Sequence, residues 1–166
     1  MLREFADWVS HTPLSAWLQD TAWVVPTSQS LHIVALSVVF ASALVIDLRL
    51  LGIGRSARSV RQVVTTHLPW MWAGLVVLLL TGTVQTIAEP MRQFVTPAFW
   101  AKMFMIVVVA TGTAVFAARV RGHAARWEGA AAAPAGARMF AVLSIALWVA
   151  IIVCGRFIGY TWSNYV

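Results

Sequence analysis

The sequence predicts an all-α integral membrane protein: a four-helix bundle preceded by an interfacial amphipathic helical segment. Three observations carry this expectation. Of 166 residues 60% are hydrophobic and only 11% charged, with a mean hydropathy of +0.80, which leaves too little polar surface for a water-soluble domain. Four segments, about 31–51, 68–88, 98–118 and 139–160, reach the roughly 20 apolar residues needed to cross a hydrocarbon layer. Arginines gather in alternate loops between them.

Residues 1–26 read as the surface segment and 27–166 as the four-span domain. Glu4 and Asp7 interrupt the start too early for a secretory signal, so the segment is expected to stay on the mature chain. Phe5, Trp8, Leu14, Trp17 and Trp23 alternate with polar positions. Thr12 before Pro13 reads as an N-cap followed by a first-turn proline, so short helices lying on the membrane surface are expected.

The first span opens with "TSQSLHIVALSV", which sets His32 inside an apolar run. "THLPW" lets Pro69 start the second span, leaving His67 in the preceding turn, where it can pair with Asp47. Thr96 and Pro97 open the third span, and the alanine-rich "WEGAAAAPAGAR" links it to the fourth. Cys154 lies inside the fourth run and reads as a small core residue.

Arg49, Arg55, Arg58 and Arg61 occupy the first inter-span loop and Arg119, Arg121, Arg126 and Arg138 the third; the opposite side has Arg3, Arg92, Lys102 and Arg156. By the positive-inside rule both termini lie outside the cytoplasm, which in a bacterial inner membrane is the periplasm. The net charge of +6 is then a topology signal and calls for no nucleic-acid partner.

This orientation gathers His32, Gln85, Glu89, Lys102 and Arg156 at the outer end. At the helical period His67, Gly74, Leu78, Thr81, Gln85 and Glu89 fall on one stripe of the second span, and Gln29, His32, Leu36, Val39, Ala43 and Asp47 on one stripe of the first. Ionisable groups at such depth face an interior or a wet cavity, so a polar pocket beneath the outer surface is expected. A neutral imidazole in an apolar bundle suits the axial position of a haem iron. Lys102 and Arg156 can then meet the propionates, Trp100, Phe157, Tyr160 and Trp162 the macrocycle edges, while Gln85 and Glu89 support the ligand or exchange protons. The competing reading makes His32 an interfacial histidine bonded to Gln29, Gln85 or Glu89, Lys102 a snorkelling side chain, and the aromatics an interfacial belt.

His32 and His67 lie at opposite ends of roughly 30 Å of hydrocarbon, so they do not share one iron. His32 with Met91, Met103 and Met105 offers copper ligands, but without Met-x-x-Met or His-x-His spacing. The apolar centres of all four spans argue against a channel or transporter.

The segments "LHIVALSVVFASALVIDLRLLG", "LPWMWAGLVVLLLTGTVQTIAEP" and "TPAFWAKMFMIVVVATGTAVF" resemble an uncharacterised family of small four-span bacterial membrane proteins. More distantly, their layout is similar to that of oxygen-independent protoporphyrinogen oxidases of the HemJ type and of CopD-type copper-resistance membrane domains. In the oxidases a histidine of the first span and a lysine of the third are implicated in haem binding and porphyrinogen oxidation. His32 and Lys102 match those positions, and the resemblance thus implies haem.

The expectation is a haem b or porphyrin protein transferring single electrons, with His32 as metal ligand and a membrane quinone or porphyrin as partner. The alternative is a non-enzymatic subunit of a larger membrane complex or homo-oligomer. Gly74, Gly82, Gly112 and Gly155 allow close helix packing under either reading.

Overall fold

The computed structural model describes residues 1–53, 58–123, 127 and 133–161; Arg55, Arg126 and Trp162 of the sequence analysis lie outside them. It is all-α, and four of its helices are long and apolar enough to cross a membrane. Two short helices come first, α1 (Leu2–Ser10) and α2 (Pro13–Asp20), followed by α3 (Val24–Leu51) and α4 (Val60–Ala88). The one-turn α5 (Pro90–Phe94) leads into α6 (Pro97–Gly122), and α7 (Ala135–Thr161) completes the bundle.

Each end has a local cause. Thr12 caps α2 by accepting from the Ser15 amide, with Pro13 in the first turn as expected. Gly52 ends α3 at φ 76°, its amide bonding Arg49 O and that of Ile53 bonding Leu48 O, a left-handed cap that glycine adopts without steric cost. Ser59 and Gln62 form a reciprocal capping box, so α4 begins at Val60, and Pro69 lies inside the helix instead of starting it. Thr96 stands at the N-cap of α6, but its hydroxyl donates to Arg92 O.

The long helices alternate in direction. α3 is central, packing along α4 on one side and α7 on the other; α7 also packs on α6, whereas α6 barely meets α4. α3 and α4 approach closely at Gly74, where a Cβ would come within 2.5 Å of Val39 Cγ2 and 3.3 Å of Ala35 O. The apolar core lies towards the arginine-loop end, built from Val39, Ile46, Leu50, Val64, Met71, Val109, Phe116, Val120 and Trp148. Trp127 packs edge-on against Phe116 there.

Asp47, only 2% exposed, faces Ser144 of α7 across the bundle and not His67, and its Oδ2 is buried without a partner among the described residues. The opposite end is capped by α1, α2 and α5. Phe5 packs edge-on against Phe94, and the Ser15 hydroxyl donates to Ile87 O at 2.7 Å, tying α2 to the last turn of α4. Trp8, Trp17 and Trp23 point outward around this cap. Along the spans Leu79 and Phe104 are each 70% exposed, and Ile33, Val76, Val107 and Leu143 are also uncovered. Apolar side chains bared over whole helix faces are what lipid tails cover, and the chain is a multi-pass membrane protein.

Candidate functional site

The capped half of the bundle brings polar side chains of α3 and α4 into contact. Ser28 and His32 lie one turn apart on α3 and both meet Thr81 of α4. The Ser28 hydroxyl donates to Thr81 O at 3.2 Å, and His32 Nδ1 lies 2.8 Å from Thr81 Oγ1. The threonine hydroxyl has one proton, which it gives to Val77 O at 2.7 Å within its own helix. It therefore accepts from His32, which fixes the proton on Nδ1 and leaves the Nε2 lone pair free. Among the described residues His32 Nε2 has no hydrogen-bond partner. The ring lies along α4 at Gly82, where a Cβ would stand in ordinary contact, 3.5 Å from His32 Cε1.

Lys102, one turn into α6, is close enough to interact electrostatically with both His32 and Cys154. Its Cδ runs past Gly155 of α7, and its ammonium lies 5.8 Å from the Phe99 ring centroid. No carboxylate pairs with it among the described residues. Gln85, one turn beyond Thr81 on the same face, has a buried Nε2 without a partner. Buried amide donors are costly unless satisfied, and this one stands beside the His32 site.

Glu89 terminates α4 and turns to Arg92, whose Nη1 lies 2.7 Å from Glu89 Oε2. Arg92 Nε and the neighbouring Gln93 Oε1 are buried and unpartnered. Trp100 donates from Nε1 to Phe94 O at 3.0 Å and stacks edge-on against Phe99, fixing the turn into α6. Arg156 lies on an exposed face of α7, with its guanidinium over the Tyr160 ring and 3.4 Å from the phenolic oxygen. The structure thus joins His32 to Thr81 with Lys102 nearby, sets Gln85 one turn further along α4 and Glu89 at its end, and places Trp100 at the turn into α6 and Arg156 on an exposed face of α7.

Two participants carry weaker sequence signals. Thr81 belongs to the polar stripe of α4, yet only its place opposite His32 gives it a role. Arg92 reads as a loop charge until α5 folds it back beneath the bundle. A shallow cleft of about 330 Å³, lined by Ser10, Gln19 and residues 88–92, opens beside it under α1 and α2. Among the described residues no group of three or more His, Cys, Asp and Glu side chains is placed to hold a bare metal ion.

A model of the family of unknown function DUF6644 matches residues 6–161, so the chain belongs to that family. No curated protein and no solved structure matches it, and these comparisons give the likeness to protoporphyrinogen oxidases and copper-resistance domains no support.

Proposed function

We propose that this member of the DUF6644 family is a bacterial inner-membrane protein that binds haem b, or a related porphyrin, within its capped half and transfers single electrons. The observation that carries this reading is the polarity of His32. Its Nδ1–H is engaged by Thr81 and its Nε2 lone pair is free, the arrangement in which a second partner orients a histidine and raises its basicity towards iron. A macrocycle supplies four of the metal's ligands itself, so one protein imidazole is enough to begin such a site.

Lys102 supplies an unpaired positive charge near the ligand for a porphyrin carboxylate, and Gln85 an unpaired amide donor. Bound haem would contribute the Fe(III)/Fe(II) couple. The chain's own part is to hold the imidazole tautomer, keep the surroundings apolar, and balance the carboxylate charge. Arginines at the loop end face the cytoplasm in this reading, so the capped end and both termini face the periplasm. Electrons pass to or from a membrane quinone or a porphyrin substrate, and the bare span faces allow a homo-oligomer or docking into a larger complex.

The test is the visible spectrum of protein purified in mild detergent from haem-replete cells, before and after dithionite, with chemical assay of haem. A stoichiometric Soret band that shifts on reduction, and is lost in His32→Ala with helical content retained, is expected. A colourless preparation that takes up no added haem overturns the proposal and favours the structural-subunit reading.

A further inference from the structure

Arg92 is held in an unusual state of partial satisfaction. Glu89 occupies Nη1, whereas Nε is buried with no acceptor and Nη2 makes no hydrogen bond among the described residues. Nε–H and Nη2–H form the side-on fork of a guanidinium, the pair that grips the two oxygens of one carboxylate. That fork lies against α7 at Gly159, where a Cβ would come within 3.1 Å of Arg92 Nη2. One turn earlier on the same helix face, Gly155 lies beside the Lys102 stem. Two cations from different helices therefore lie over two glycines spaced i, i+4, about 6 Å apart along the axis.

We infer that Arg92 and Lys102, laid over Gly155 and Gly159, form the carboxylate seat of the site, and that Arg156 is not part of it. The inference rests on the porphyrin reading and names the residues that recognise the two propionates. Glu89 lies eight residues beyond Thr81, about 12 Å along α4, and its contact with Arg92 puts that guanidinium at the same end of the bundle as the His32–Thr81 pair. Glu89 holds the guanidinium plane by its far nitrogen and keeps the fork turned to α7. Arg156, exposed and occupied by Tyr160, presents its charge elsewhere.

The seat is tested by titrating the purified protein in detergent with haem b and with haem b dimethyl ester, whose propionates are blocked. Wild type is expected to bind haem b at least about tenfold more tightly than the ester. Arg92→Gln removes that preference, Arg156→Gln keeps it, and Gly159→Ala, which retains every charge but fills the cradle, weakens it. Circular dichroism confirms that each variant is folded. A preference that survives in Arg92→Gln, or disappears in Arg156→Gln, overturns the seat. Equal wild-type binding of both pigments also overturns it while leaving the haem reading intact; binding of neither overturns the haem reading itself.

Discussion

At the arginine-loop end, Leu50, Val60, Val64, Met71, Val120 and Trp148 interlock in a side-chain core that is almost fully buried. At the capped end α3, α4 and α6 contribute Ser28, His32, Thr81, Gln85 and Lys102, and α3 and α4 meet there through side-chain hydrogen bonds. The first half is held by dispersion contacts that lipid cannot replace once interdigitation is lost. The second spends packing on directed polar groups, which is how a site that needs a partner differs from a scaffold. Buried polar atoms go unpartnered in both halves among the described residues, Asp47 Oδ2 and Trp148 Nε1 in the packed half and Gln85 Nε2, Arg92 Nε and Gln93 Oε1 in the capped half.

The division makes graded predictions. Trp148→Ala, at a side chain only 1% exposed, is expected to cost about 3 kcal/mol in unfolding from detergent, by analogy with large-to-small core changes. Gly74→Ala drives a methyl group into Val39 and should cost about 2 kcal/mol, measurable as a lowered thermal midpoint. His32→Ala should abolish pigment binding yet cost less than about 1 kcal/mol of stability, because interhelical hydrogen bonds within membranes contribute little. Thr81→Val removes the acceptor of Nδ1–H and is expected to lower haem affinity about tenfold, the usual penalty for losing a ligand's outer partner, with still less change in stability. A large loss of stability at His32 with none at Trp148 would reverse the comparison.

Composition and apolar length made the four spans legible, and the polar stripe of α4 brought Thr81, Gln85 and Glu89 to one face. Helix boundaries were less so. α3 starts at Val24 and α4 at Val60, several residues before their apolar runs, because capping and helical hydrogen bonding tolerate the polar turns that hydropathy excludes. Ser59 and Gln62 carried that signal in their spacing, while Pro69 pointed the other way. Of the site, His32 and Lys102 could be read from depth alone. From the sequence, Arg156 reads as a propionate partner and Arg92 only as another charge at the same end. Their difference arises from α5, whose single turn after Pro90 brings Arg92 under the bundle, and from the position of Tyr160 one turn after Arg156.

The central place of α3 bears on how the chain is made. α3 and α4 are consecutive and share the most extensive interface, so they can close as a hairpin as soon as the second span leaves the ribosome. α6 and α7 form another consecutive pair, joined to the first mainly where α7 lies on α3. Assembly in the bilayer is then the docking of two preformed hairpins along one seam. Lys102 is delivered to His32 only when that seam closes, so a nascent chain holds the ligand before it holds the complete site.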